Sequence, residues 1–200
     1  FIVFFAICLN AFGQNKIDLK AVFDIEKKQI KISQTIQYQN TTDYILQSIY
    51  LNDWNNSFYN KKTPLAIRIA DEYNNNFHLA KNIDRGYSVV TSIRQNGKSL
   101  VYSHLKKQID VIKVDLIEPL KPNESYTIKL DYLVKIPNAK FTKYGFTDEG
   151  DINLRYWYIT PAVYNGEWQY FSNKNLDDLF IPKSDIRLEV EYPNDYTLTS

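Results

Sequence analysis

Tyr126-Thr127-Ile128-Lys129-Leu130-Asp131-Tyr132-Leu133-Val134 decides the fold. Positions 126, 128, 130, 132 and 134 are apolar or aromatic, and Thr127, Lys129 and Asp131 fall between them. A period of two places one set on a buried face and the other toward water, which is a half-buried β-strand. The same period recurs outward from this stretch. Upstream, Pro119-Leu120-Lys121-Pro122-Asn123-Glu124 reads as a turn, preceded by a strand through Ile109, Val111, Val114 and Leu116. Asn96-Gly97 is a two-residue hairpin signal between strands at 87–94 and 100–102.

Nearer the start, Ile17, Leu19, Ala21, Phe23 and Ile25 point one way, while Asp18, Lys20, Asp24 and Glu26 point the other. After a turn at Lys27-Lys28, Ile30, Ile32, Ile36 and Tyr38 resume the pattern, and 45–51 follows the turn cluster Asn40-Thr41-Thr42-Asp43. These three strands predict an antiparallel meander. Thr63-Pro64 predicts one short helix over 65–72, with Thr63 as N-cap and Pro64 in the first turn. Downstream, 152–159 reads as an aromatic strand, Ile186 to Tyr192 as a last alternating strand, and 196–200 as the start of its hairpin partner. The expected fold is all-β, an antiparallel saddle-shaped β-sandwich with one short helix.

Composition agrees. The chain has 16 Tyr, 11 Phe and 3 Trp but only 6 Gly, which favours strands. Its 24 basic and 23 acidic residues nearly cancel, and no basic cluster offers a face for nucleic acid. Phe1-Ile2-Val3-Phe4-Phe5-Ala6-Ile7-Cys8-Leu9 is apolar but too short to span a bilayer, and Ala11-Phe12-Gly13 follows as a small-x-small cleavage site. Residues 1–13 are therefore expected to be a signal peptide truncated at its start, and 14–200 an N-terminal β-sandwich domain incomplete at its end. The only cysteine, Cys8, lies in that leader, and Ile7 before it is too large for a lipoprotein box. A mature chain without disulfides, periplasmic or secreted and with no transmembrane span, is the expectation.

Chemistry-bearing motifs are sparse. His78 and His104 are far apart, so no H-E-x-x-H zinc helix lies in this segment, and neither a G-x-S-x-G elbow nor a processed-chain cysteine offers a nucleophile. Asp148-Glu149-Gly150-Asp151 lacks the alternating ligands of a calcium loop. No catalytic or metal residue is expected here. The remaining signal is aromatic: Tyr156-Trp157-Tyr158, then Tyr164, Trp168, Tyr170 and Phe171. On a strand, Tyr156 and Tyr158 share one face and Trp157 takes the other. Such residues either fill a core or bind a sugar or peptide.

The order of segments resembles the N-terminal domain of aminopeptidase-N-like zinc metallopeptidases (gluzincins) in the divergent form found in bacterial envelopes. The resemblance rests on residues 40–58, Thr63-Pro64-Leu65-Ala66, Pro119 to Tyr126, and Trp157-Tyr158-Ile159-Thr160-Pro161-Ala162-Val163-Tyr164 with Gly166 and Trp168, ending at Tyr192-Pro193-Asn194-Asp195-Tyr196. It implies a saddle-shaped sandwich that walls the cleft of a separate catalytic domain, where zinc and a peptide substrate bind. That domain is expected beyond Ser200. The family often uses a glutamine here to hold the substrate's amino group. By position Tyr156 replaces it, with Tyr158 where an acid can follow. A phenol accepts a hydrogen bond but carries no charge at neutral pH, so amine anchoring through Tyr156 and Tyr158 is weaker. The other function open to the sequence is an envelope module, or an inactive relative, binding sugar or peptide through exposed aromatics.

Overall fold

The computed structural model describes residues 14–175 and 179–199. Residues 1–13, where a signal peptide is expected, lie outside these, as does Ser200. Two long strands open the chain, β1 (Asn15–Asp24) and β2 (Gln29–Gln39), joined by the expected Lys27-Lys28 turn with Lys28 at φ 55°. β3 (Leu46–Asn52) leads into a 3-10 turn at Trp54–Phe58 and then α1 (Pro64–Asp71) and α2 (Asn76–Leu79). Next come β4 (Tyr87–Gln95), β5 (Lys98–Ser99), β6 (Tyr102–Leu105), β7 (Gln108–Leu120) and β8 (Ser125–Lys135). Short strands follow: β9 (Gly145–Phe146), β10 (Ile152–Asn153), β11 (Thr160–Pro161), β12 (Val163–Tyr164) and β13 (Trp168–Gln169). The last is β14 (Ser184–Glu191).

Two sheets form the sandwich, a six-stranded one in the order β14-β1-β2-β8-β4-β5 and a four-stranded one in the order β11-β3-β7-β6. The decisive stretch becomes β8, at the centre of the larger sheet, and Tyr126, Ile128, Leu130, Tyr132 and Val134 are all buried. With Ile17, Leu19, Ala21, Ile30, Ile32 and Ile36 they form one core against Ile49, Leu51, Ile112 and Val114 of the smaller sheet. Each such side chain contributes about 1.5–3 kcal/mol on burial. The hairpin at Asn96-Gly97 is present, with φ 48° and 80° as a type I′ turn requires. Thr63 caps α1 by accepting the Ala66 N–H (3.3 Å).

Four expectations change. The first three strands are not a meander, because β3 crosses to the second sheet. Asn40, fully buried, makes that corner: its Nδ2 donates to the carbonyls of Tyr44 (2.7 Å) and Leu120 (3.3 Å), and its Oδ1 accepts from the Thr42 hydroxyl (2.7 Å). The helix has a companion, α2, because Asn74-Asn75-Asn76 ends one helix and begins another. α1 and α2 carry a small second core of Phe58, Leu65, Ala66, Ile69, Phe77 and Phe141. The last strand pairs with β1 in parallel, not antiparallel, and Ile186 and Leu188 stay exposed because the smaller sheet does not reach over them. No strand forms at 192–199, so the described residues there contain no hairpin partner for β14.

Candidate functional site

The aromatic segment is not the continuous strand its pattern predicts. Only β10 forms, and the chain bends at Arg155 and Tyr156, where Tyr156 takes a left-handed φ of 54°. A bend cancels the period of two, so Tyr156 and Tyr158 are not arranged as neighbours on one sheet face. Tyr156 sets its ring edge-on to Trp54, with centroids 4.9 Å apart. Its hydroxyl accepts a hydrogen bond from Arg155 Nη2 (2.7 Å), and the guanidinium carbon lies 4.5 Å from its ring centre. Arg155 also donates to the Tyr144 hydroxyl (3.4 Å). Tyr158 packs edge-on to Trp157 (5.3 Å), which leans on Phe23 (6.0 Å); half-burial pushes the Tyr158 phenol pKa up.

Buried polar bonds fasten this segment to the sandwich. Gln34 occupies a core-facing position on β2 at 2% exposure, and its Nε2 donates to the Ile159 carbonyl (2.7 Å). The Tyr132 hydroxyl donates to Gln34 Oε1 and accepts the Ile159 N–H (3.1 Å). One glutamine and one tyrosine thus satisfy both backbone groups of Ile159, and burial holds the Tyr132 pKa well above the ordinary phenol value. The far end is fixed by Asp110, which accepts the Ser172 hydroxyl and the Asn173 N–H, both at 2.8 Å. Trp54 Nε1 donates to the Phe171 carbonyl (2.7 Å).

Asp53 lies beside Asp110: its N–H donates to the Asp110 carbonyl (2.8 Å), and its carboxylate accepts from Asn56 Nδ2 (2.6 Å). Burial raises both carboxyl pKa values to about 6, and hydrogen bonds only partly offset it; for Asp110 the neighbouring Asp53 charge adds to the rise. These two acids serve the architecture, because their oxygens are taken by the groups that position residues 171–173 and the turn at 54–58.

The remaining aromatics pack as a group. Trp168 meets Tyr38 (5.7 Å), Tyr50 (5.4 Å) and Tyr164 (5.2 Å), while Tyr50 stacks on Tyr170 at 4.9 Å and 8°. Trp157, Tyr158, Tyr164 and Trp168 all rest against the main core while staying partly open to solvent. Among the described residues no group of three or more His, Cys, Asp or Glu side chains is arranged to hold a metal. His78 sits on α2 and His104 on β6, where its Nδ1 bonds with the Ile109 carbonyl (2.7 Å). The described residues therefore offer no ligand set for a zinc ion. The stretch 148–151 is a turn closed by Thr147 N–H to the Asp151 carbonyl (2.9 Å). No described helix is long and apolar enough to cross a membrane.

Sequence reading missed Gln34, Asp53, Asp110 and Tyr132 as the anchors. Gln34 was detectable as the one polar residue at a core position in β2, and Asp110 as an acid on the core side of β7. Their partners, Ile159, Ser172 and Asn173, lie too far along the chain for spacing to reveal.

No protein-family model matches the chain, and a search of curated proteins finds no match either. Among solved structures, an M1 zinc metallopeptidase from Deinococcus radiodurans is similar at a TM-score of 0.38 and 14% identity, covering 62% of this chain and 21% of that one. A mutant of that enzyme bound to a Tyr-Ser-Ala substrate gives the same values. The chain thus spans about a fifth (21%) of that protein's length.

Proposed function

We propose that this chain is the non-catalytic N-terminal β domain of an exported zinc metallopeptidase of the aminopeptidase type. In this reading it walls the catalytic cleft and helps position the peptide, through Tyr156 and Tyr158. Zinc belongs to a separate catalytic domain, and no step of the reaction is carried by the residues described above. The observation that carries the reading is the ordered set of family-like segments in the sequence, from the 40–58 region to Tyr192-Pro193-Asn194-Asp195-Tyr196.

The geometry of the aromatic segment supports it. Buried bonds at Ile159 and at 171–173 hold the segment still, while Tyr156 and Tyr158 keep part of their rings open. A fixed wall costs little ordering entropy when a substrate docks. The Arg155 guanidinium on the Tyr156 hydroxyl changes what that phenol favours. It occupies the oxygen as a donor, which leaves the phenol to donate its own O–H, so a peptide carbonyl suits this spot better than an ammonium.

The test uses the full gene product. Its coding sequence should supply H-E-x-x-H with a downstream glutamate ligand, and the protein should hydrolyse short peptides. Tyr158→Ala should raise KM several-fold with kcat little changed, the sign of lost substrate positioning. A gene product without the zinc motif, or one in which neither tyrosine affects KM, would overturn the reading.

A further inference from the structure

A cleft of about 930 Å³ lies away from the aromatic segment, lined by Asn60, Asn82, Arg85, Tyr87, Ser88 and Tyr59 among others. None of its lining residues is an Asp or Glu. One wall is β4, which is an edge strand over most of its length because β5 pairs only with Arg94 and Gln95. Two of its backbone groups are engaged by side chains: the Ser88 N–H donates to Asn56 Oδ1 (3.0 Å), and the Val90 carbonyl accepts the Tyr102 hydroxyl (3.1 Å). Such caps block addition of another strand. Recognition in this cleft therefore falls to side chains.

Arg85 is the anomaly. It is only 6% exposed, and its guanidinium stacks 4.4 Å from the Phe77 ring centre while Nη2 donates to the Phe77 carbonyl (2.7 Å). Its Nη1 is buried with no hydrogen-bond acceptor among the described residues, and Arg85 is one of the residues lining the cleft. The neighbouring Asp84 charge favours the Arg85 cation, but its carboxylate makes its ion pair with Lys140 (2.7 Å) and accepts no hydrogen bond from Arg85. A buried guanidinium with an unpartnered donor and no carboxylate bonded to it is costly unless a ligand supplies an acceptor.

We propose that this cleft takes an acidic peptide, one Asp or Glu side chain of which supplies the carboxylate that Arg85 lacks. Arg85 already lines the cleft, so an incoming carboxylate there meets a residue with an unpartnered donor. The volume is that of a ligand site and far exceeds one small anion. Asn60, Asn82 and Tyr59 offer donors and acceptors for a peptide backbone. The site is independent of the peptidase reading, since it lies on other elements.

The test is a titration of the isotope-labelled chain, followed by NMR, with acetyl-Ala-Glu-Ala-amide and its Gln counterpart. The expected result is a saturable shift of the Arg85 Nε–H and Ser88 amide signals with the Glu peptide. The Gln peptide should bind at least about tenfold more weakly, the loss of one charge-assisted contact. Equal binding of the two peptides, or no shift up to about 10 mM, overturns the proposal. Equal displacement by inorganic sulfate would mark a bare anion site and also overturn it. Tyr59→Ala, which leaves the Arg85 bonds intact, should weaken the Glu peptide several-fold; an unchanged affinity would contradict its docking in this cleft.

Discussion

Removing the Tyr132 hydroxyl is the most informative single perturbation of the fold. In Tyr132→Phe two buried groups lose their partner at once, Gln34 Oε1 and the Ile159 N–H. Each orphaned buried polar group costs about 1–3 kcal/mol, so the variant should lose about 2–6 kcal/mol. For a domain of this size that corresponds to a Tm lower by roughly 5–15 °C. Urea denaturation followed by tryptophan fluorescence and far-UV circular dichroism measures it. Trp157, two residues from Ile159, should report loosening of the segment before the sheets unfold. Tyr38→Phe is the control, because the Tyr38 hydroxyl bridges no such pair, and its cost should stay within about 0.5 kcal/mol. Adding Gln34→Leu to Tyr132→Phe should cost less than the sum of the two single changes, since the glutamine is already orphaned. A Tyr132→Phe loss below about 1 kcal/mol would refute the claim that this hydroxyl fastens the aromatic segment.

Three further outcomes follow from the same structure. Asp53 and Asp110 have folded pKa values near 6 against 3.8 when unfolded, so the folded state binds more protons between these limits. Stability should therefore fall as pH rises from about 4 through about 6, by up to about 3 kcal/mol per group taken singly, and level off above. Asp131, whose pKa the Ser33 and Ser92 hydroxyls lower, acts in the opposite sense but only below the ordinary carboxylate range. Urea midpoints at several pH values test this; Asp110→Asn should flatten the slope, and a midpoint that rises toward pH 7 would contradict it. Gly145→Ala should cost more than about 3 kcal/mol or prevent folding. Its φ is +132° and an added Cβ would lie 2.0 Å from the Pro137 carbonyl oxygen, whereas Gly150, at φ +98° with open space, should cost only the backbone strain. Thr63→Ala should lose about 1–2 kcal/mol by thermal melting, since Thr63 caps α1 and also donates to the Ser57 carbonyl (2.6 Å).

The long strands were legible because their signal is local. Tyr126, Ile128, Leu130, Tyr132 and Val134 are all buried, and the Asn96-Gly97 turn and the Thr63 cap each need only four or five residues to declare themselves. What sequence could not supply was long-range partnership. β3 leaves the first sheet because Asn40 bonds with Leu120, eighty residues on. β14 joins β1 in parallel across a separation that no turn chemistry encodes. The aromatic segment bends at Tyr156 because contacts with Trp54 and the anchors at Ile159 outweigh the strand propensity of Tyr156-Trp157-Tyr158. The Arg155–Tyr156 pair was adjacent in the sequence, yet its geometry follows from that bend.

The central claim, that this β domain serves a zinc peptidase, is tested most directly by assaying the full gene product for peptide hydrolysis before and after metal removal. The account predicts cleavage of short peptides that is lost on chelation and restored by zinc, with close to one zinc bound per chain. A folded gene product that binds no zinc and cleaves no peptide would contradict it.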